Sequence, residues 1–138
     1  GAGARVGERS GEPVWVPETA RPLYHAALSI GSNHLVTLIG DALALLDDAG
    51  VEQADQLLAP LVSAALDNVL RLRDGALTGP VSRGDVATVA THLRTLQAAA
   101  PDVLPSYRAM ARRTAERARD AGRLDGTQFA AVIEVLGS

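Results

Sequence analysis

A single long helical pattern runs from about Arg21 to Ala49. At about 100° per residue, its large apolar residues fall on one broad arc, as is typical of a helix that contributes to a core. Pro22 suits the first turn of a helix, and Gly50 suits a left-handed cap at its end. On this arc lie Tyr24, Leu28, Leu35, Leu38, Ile39, Leu45 and Leu46.

Further helical regions follow this pattern along the chain. They are predicted at Glu52–Arg73, at Asp85–Ala99, from Pro101 or Pro105 to Ala121, and from Asp125 to about Leu136. Asp125 and Gln128, three residues apart, are typical of a capping box at the start of the last of these helices. Pro60 is expected to break the first of them into two pieces. The predicted fold class is therefore all-α, a bundle of five to six helices preceded by a short extended segment.

Residues 1–17 are predicted to be a separate N-terminal segment. Gly1–Gly11 is polar and rich in glycine, and the next residues, Pro13–Pro17, form an extended stretch between prolines. No other good strand is evident, and a lone strand needs sheet neighbours. We therefore expect residues 1–17 to be a flexible N-terminus and an interdomain link or remnant strand, and residues 18–138 to be the helical domain.

Composition limits the chemistry that this chain of 138 residues can perform. Aromatic residues make up 3% of it, so its core consists of Ala, Leu and Val. There is no Cys and all 13 basic residues are Arg, which excludes disulfides, Cys-ligated zinc and a lysine Schiff base. The net charge of −3 argues against a nucleic-acid partner.

Sequence patterns also give expectations for localisation and metal binding. No uninterrupted apolar run reaches the roughly 18 residues that span a bilayer, and no signal peptide is evident. We expect a cytoplasmic protein without a membrane partner. His25, His34 and His92 lack metal-ligand spacing, so no metal is expected.

The first helical pattern also carries a row of short polar side chains. His25, Ser29 and Asn33 are spaced i, i+4, i+8 and therefore stack on one side over two turns, next to Ser32. A solvated face normally carries longer charged side chains. Two interpretations remain open: a row that lines a cleft, or a buried polar strip at a helix contact.

The segment Thr78–Asp85 predicts a defined turn between two helices. Gly79, Pro80 and Gly84 are typical turn residues, and Asp85 is placed to cap the next helix. Arg83 could bind a carboxylate or phosphate in a bidentate manner. It could equally pair with a nearby Asp.

Several short motifs occur in a specific order and spacing along the chain. They are Tyr24–Ala27, Ser32–Asn33 with Leu35, Leu58–Leu61, Asn68, Thr78–Pro80, Arg83–Asp85 and His92–Leu93. Together these motifs resemble the C-terminal helical domain of a family of Rossmann-like proteins, and the similarity covers about Val14 to Ala118. That domain is described as of unknown function (domain of unknown function 2520), and the proteins are similar to the 6-phosphogluconate dehydrogenase, pyrroline-carboxylate reductase and ketopantoate reductase group.

The resemblance implies an NAD(P)-binding Rossmann domain that precedes this helical domain and holds most of the cofactor. It implies that Asn33 faces the nicotinamide cleft, whereas the lysine usual one turn earlier is replaced by Ser29. His25 would then donate or accept the proton, since an imidazole titrates near neutral pH. Ser29 and Ser32 would bind the substrate, with Arg83 as an anion anchor.

The expected function is thus the substrate-binding and dimerisation domain of an NAD(P)-dependent oxidoreductase acting on a small C=O or C=N substrate. Its partners would be a second copy, the small substrate and its own Rossmann domain. Alone, this chain would be inactive. The absence of lysine favours an alternative, a non-enzymatic dimerisation or protein-interaction module. A third interpretation is an adaptor that binds acidic partners through the arginine-rich region Arg108–Arg119.

Overall fold

The structure is a computed structural model that describes residues 3–6 and 14–137. The chain divides into two compact units, Gly1–Gly50 and Val51–Ser138. The fold class is all-α, as predicted. The predicted division at residues 17 and 18 stays a prediction, and residues 1, 2 and 7–13 of the N-terminal segment lie outside the described residues.

Two short strands open the first unit. β1 (Gly3–Val6) pairs antiparallel with β2 (Val14–Pro17), and Ala4 lies opposite Val16. The expectation that the segment between prolines has no strand partner in this chain is therefore wrong. Its partner is four residues long and begins with glycine, so it carries little of the β-branched and aromatic signal by which strands are recognised.

One nearly continuous helix follows the strands. It consists of a 3-10 turn (Glu18–Ala20), α1 (Arg21–Leu28), a π-helical turn (Ser29–His34) and α2 (Leu35–Asp48). Pro22 lies in the first turn of α1, and Gly50 follows the end of α2 with φ of 82°, both as predicted. No residue of this helix is buried.

The second unit begins with α3 (Ala54–Leu72), which runs through Pro60 without a break. The prediction that Pro60 interrupts this helix is therefore wrong. Proline already holds the helical φ, although it removes the hydrogen bond to the carbonyl four residues earlier and its ring crowds that carbonyl. Because Pro60 is exposed, that carbonyl can bind water instead.

Three of the remaining helices follow the predicted order: α5 (Val86–Ala99), α6 (Leu104–Asp120) and α7 (Gly126–Leu136). A 3-10 turn (Arg73–Ala76) follows α3, and a one-turn helix that was not predicted, α4 (Pro80–Arg83), lies within the segment predicted as a turn. Asp85 caps α5, and Asp125 forms a capping box with Gln128 at the start of α7, as predicted.

The core of the second unit lies between α5, α6 and α7. Val89 of α5, Ala115 of α6, and Val132 and Leu136 of α7 are fully inaccessible to solvent. The small side chain of Ala115 lets the neighbouring helices approach closely, so aliphatic side chains can fill the interior without aromatic residues.

Arginine side chains tie the ends of elements to this core. Arg123 donates to the carbonyl oxygens of Gly75 at 2.7 Å and Leu77 at 2.6 Å, which fixes the connection after α3. Arg108 donates to the carbonyl oxygen of Leu136 at the end of α7. A cation there also stabilises the negative end of the helix dipole.

Most of the exposed large aliphatic side chains lie on the helix of residues 21–48 and on α3. Monomeric soluble proteins rarely expose large contiguous apolar patches. By length and composition, Glu18–Asp48 could also cross a membrane, a property that core helices of soluble proteins share. The exposed set is Leu23, Leu28, Ile30, Leu35, Val36, Leu38, Leu57, Leu61, Leu66, Val69, Leu70 and Leu72.

Leu136 offers a direct test of the core of the second unit. We expect Leu136→Ala to lower the free energy of unfolding by about 2–5 kcal/mol, because it leaves a cavity among packed helices. Urea denaturation followed by far-UV circular dichroism measures the change. Leu136→Met is the matched control and should cost less than about 1.5 kcal/mol, since it nearly conserves volume. Equal, small losses for both variants would contradict this core.

Candidate functional site

The helix of the first unit changes its winding at Ser29–His34, where six residues form a π-helical turn. Such turns contain i→i+5 hydrogen bonds and are frequent at functional sites. The local sequence permits the change, because Gly31, Ser32 and Asn33 are all weak α-helix formers. The π turn therefore lies within the polar row that the sequence analysis identified.

The π turn keeps the predicted row together. In an α-helix, a residue four positions on overshoots a full turn by about 40°. A π turn holds more than four residues, so a residue four positions on falls short of a full turn. The step from His25 to Ser29 lies in the α-helix and the step from Ser29 to Asn33 lies in the π turn, so the two angular offsets have opposite signs. On this geometry, His25 and Asn33 are expected on the same side of the helix.

The row is open to solvent. His25, Ser32 and Asn33 are exposed, and Ser29 is half-buried. In the described part of the chain, the row is therefore not a buried polar strip at a helix contact. Of the two interpretations left open above, a row that receives a ligand or another polypeptide agrees better with this exposure.

Ser32 determines how Asn33 presents its amide. The Ser32 hydroxyl lies 2.6 Å from the carbonyl oxygen of Leu28 and 3.1 Å from Asn33 Oδ1, and both of these atoms are acceptors. Because Asn33 turns its amide oxygen toward Ser32, its N–H₂ group is the end of the amide that can donate to a ligand.

His25 lies beside Tyr24 at the amino-terminal end of the row. Their ring centroids are 5.5 Å apart and the ring planes are inclined by 51°. Among the described residues, no side-chain hydrogen bond to the His25 ring is present. Both ring nitrogens are thus available to a ligand, as a proton donor or acceptor requires.

Arg83, the predicted anion anchor, lies at the end of α4 in the second unit. Its side chain is exposed, and no ion pair to it is found among the described residues. Gly79 and Gly84, on either side of α4, have φ of 93° and 72°, as the predicted turn requires. His25, Ser29, Ser32 and Asn33 all lie on the helix of the first unit, and Arg83 belongs to the other unit.

Asp85 is held by the first turn of α5. Its carboxylate accepts from the Thr88 hydroxyl at 2.7 Å and from the Thr88 backbone N–H at 3.1 Å. These hydrogen bonds lower the pKa of Asp85, and the positive charge of Arg83 and the nearby His92 add to the effect. The place of Asp85 at the start of the predicted helix already indicated this cap.

A pair that the sequence analysis did not predict joins α5 to α6. His92 Nδ1 lies 3.0 Å from the Tyr107 hydroxyl, and the two rings meet edge to face. Burial raises the pKa of the Tyr107 phenol. Nothing in the sequence pairs these residues, because their contact depends on how α5 and α6 pack.

The described residues contain no group of three or more His, Cys, Asp or Glu side chains that could hold a metal ion. The chemistry available to the row on the first helix is therefore that of one imidazole, two hydroxyls and one amide, which suits proton transfer and hydrogen bonding to a small polar ligand.

Comparison with known families gives one result. Residues 3–114 match the family DUF2520, a domain of unknown function. Since the match covers more than half of the chain, the protein belongs to this family. The matched range, residues 3–114, includes the polar row, the π turn and the Thr78–Asp85 segment. No curated protein and no solved structure matches the chain.

The Asp85 cap predicts a dependence of stability on pH. The pKa of Asp85 is lower in the folded protein than in the unfolded chain, so its contribution is present above the unfolded value and is lost as the pH falls through the folded value. We expect Asp85→Ala to lower the thermal midpoint at pH 7, and to lower it much less at strongly acidic pH.

Asp85→Asn is the matched control for this measurement, because asparagine caps helices without a charge. At pH 7 this variant should keep most of the wild-type thermal midpoint. Because asparagine does not titrate, the contribution of residue 85 to that midpoint should no longer depend on pH. An Asp85→Ala midpoint that differs from wild type equally at both pH values would contradict the assignment.

Proposed function

We propose that this chain is the substrate-binding and dimerisation domain of an NAD(P)-dependent oxidoreductase that acts on a small C=O or C=N substrate. The observation that carries the proposal is the solvent-exposed row of imidazole, hydroxyl and amide groups at a π turn in an otherwise apolar helix. These groups can donate and accept hydrogen bonds and are open to a small polar ligand.

Each residue of the row has a role that its geometry can support. His25, without a described side-chain partner, donates a proton to the substrate oxygen or nitrogen, or accepts it in the reverse direction. Asn33 orients the substrate through its amide N–H₂ group, while its amide oxygen faces Ser32. Ser29 completes the row at the half-buried side. Arg83 is proposed as an anchor for an anionic substrate group.

The described residues fit the reacting end of a nicotinamide cofactor and not its phosphates. Amide and hydroxyl groups such as those of Asn33 and Ser29 can hydrogen-bond a carboxamide or a ribose. The strands of the described part, β1 and β2, are antiparallel, whereas a pyrophosphate site needs a strand, a glycine-rich loop and a helix in a βαβ unit. A separate Rossmann domain would therefore bind most of the cofactor, which supplies or accepts the hydride when bound.

Dimerisation is the second part of the proposal. The exposed aliphatic side chains of the helix of residues 21–48 and of α3 are more than one solvated monomer normally shows. A two-fold symmetric contact would cover the same apolar surface on both copies at once. The complete protein is proposed to work in the cytoplasm.

One observation favours a second candidate, a non-enzymatic dimerisation or protein-interaction module. The chain contains no lysine, and Ser29 occupies the position where the related dehydrogenases carry one. In the described residues, no side-chain hydrogen bond orients His25 as a second residue would in a catalytic dyad. Fold and family alone do not decide between the two candidates.

Activity of the complete protein tests the role of His25. In the protein with its cofactor domain, we expect His25→Ala to lower kcat by about 10²–10⁴-fold, the usual contribution of general acid–base catalysis. Absorbance of the reduced nicotinamide, followed with a panel of small oxo acids and imines, measures the rate. His34→Ala removes an imidazole of the same exposed helix and should leave kcat near wild type. Equal activity of wild type and His25→Ala would favour the non-enzymatic module.

Asn33 is predicted to act through binding. Asn33→Ala should raise KM about 3–10-fold, because a hydrogen bond contributes about 0.5–1.5 kcal/mol net. Thr37→Ala, one turn further along the helix, is the control and should change KM less than twofold. A loss in kcat alone, with an unchanged KM, would assign Asn33 to the transition state rather than to substrate binding.

A further inference from the structure

The backbone just after α3 has an unusual conformation for a residue that is not glycine. Arg73, which follows the last residue of the helix, has φ of 52° and ψ of −127°. These angles match the first central position of a type II′ turn, where glycine dominates because it has no Cβ atom to collide with the backbone. Arg73 carries a Cβ atom, so the connection after α3 is strained.

A glycine that could relieve this strain lies two residues further along the chain. Gly75 is part of the 3-10 turn Arg73–Ala76 and does not have a positive φ. Helices commonly end just before a glycine with positive φ. If α3 continued through Asp74, Arg73 would have a helical φ and Gly75 would be in place as the left-handed residue. The sequence therefore allows two ends for α3, and the structure has the shorter, strained one.

Two arginines hold the shorter end. Arg123 donates to the carbonyl oxygens of Gly75 at 2.7 Å and Leu77 at 2.6 Å, and Arg117 forms an ion pair with Asp74 at 3.2 Å. Two more residues in an α-helix rotate the chain by about 200° and advance it by about 3 Å, which would carry both carbonyls away from Arg123. An exposed ion pair contributes little to stability. The two hydrogen bonds from Arg123 are therefore the main restraint.

α3 is the element that would move when its end changes. Among the residues of α3 only Ala54 is buried, and the helix contacts chiefly the 3-10 turn that follows it. On the other side of that turn, α4 is anchored in the second unit because Val81 and Ser82 are buried. A change of backbone conformation at Arg73 would therefore alter the direction of α3 and leave α4 in place.

We propose that the end of α3 is a two-state switch, in which Arg123 holds the short, strained end and its release lets α3 lengthen through Asp74. Backbone strain of the usual size changes an equilibrium constant about 5- to 150-fold. It thus offsets a large part of what two hydrogen bonds from a charged group contribute. The switch sets the direction in which α3 presents its exposed aliphatic side chains, and it does not depend on the proposed function.

Substitutions at residue 73 test the strain. Arg73→Gly removes the Cβ atom and Arg73→Ala keeps it, and both remove the charge. The glycine variant should have the higher thermal midpoint, by about 2–8 °C, in melts followed by far-UV circular dichroism. Arg71, in the last turn of α3, is the matched control position, where glycine should lower the midpoint relative to alanine. A midpoint for Arg73→Ala equal to or above that of Arg73→Gly would overturn the proposal.

Removal of the restraint tests the lengthening of α3. In Arg123→Ala, the ¹³Cα chemical shift of residue 73 should move to a helical value, and an Hα–Hβ nuclear Overhauser effect should appear between Arg71 and Asp74. Arg113→Ala is the control, because Arg113 pairs with Glu116 within α6 and should leave both signals as in wild type. If Arg123→Ala does not fold, Arg123→Lys replaces it, since lysine keeps the charge without the planar fork. An unchanged or random-coil shift at residue 73 in the folded variant would contradict the switch.

Two double variants show whether strain drives the lengthening. Arg123→Ala combined with Arg73→Gly should keep the short end, because residue 73 is no longer strained there. Arg123→Ala combined with Arg73→Ala should lengthen like Arg123→Ala alone. Equal lengthening in both double variants would show that strain at residue 73 does not drive the change, and would overturn the proposal.

Discussion

The close packing of α5 and α7 against the alanine-bearing side of α6 holds the second unit together. Ala115 and Ala118 are inaccessible to solvent, and Val89, Val132 and Leu136 occupy the space that such small side chains leave. With so few aromatic residues, this core depends on short distances between helices rather than on large side chains. The same packing positions Tyr107 against His92 and carries the arginines that fix the connection after α3 and the end of α7.

The first unit is organised on a different principle. Its helix buries none of its residues, although most of them are apolar, and its strand pair is too small to be stable alone. A helix gains most of its stability from packing of its apolar side. The polar row of His25, Ser29, Ser32 and Asn33 interrupts that apolar surface on one side. Its last three residues lie in the π turn, whose winding differs from that of the rest of the helix. Contact with another domain or another copy would stabilise this helix and complete a site at the row in the same event.

Features that depend on local chemistry could be predicted from single positions. Asp85 and Asp125 were identified as helix caps because a carboxylate accepts from free backbone N–H groups of the first turn. Gly50 was identified as a helix end because glycine adopts positive φ at little cost. Features that depend on competition between weak preferences were not predicted. Single positions do not indicate the continuity of α3 through Pro60, the pairing of β1 with β2 or the π turn.

The sequence by itself determined the all-α class, the order of the helices in the second unit, the family and the residue types of the polar row, because periodicity, caps and motifs are encoded over a few residues at a time. Tertiary structure alone decided which of these residues are covered and which remain open. It paired His92 with Tyr107, enclosed the alanines of α6 and left His25, Ser32 and Asn33 exposed. Burial is a property of how helices pack over long separations in the chain, and spacing along one helix does not contain it.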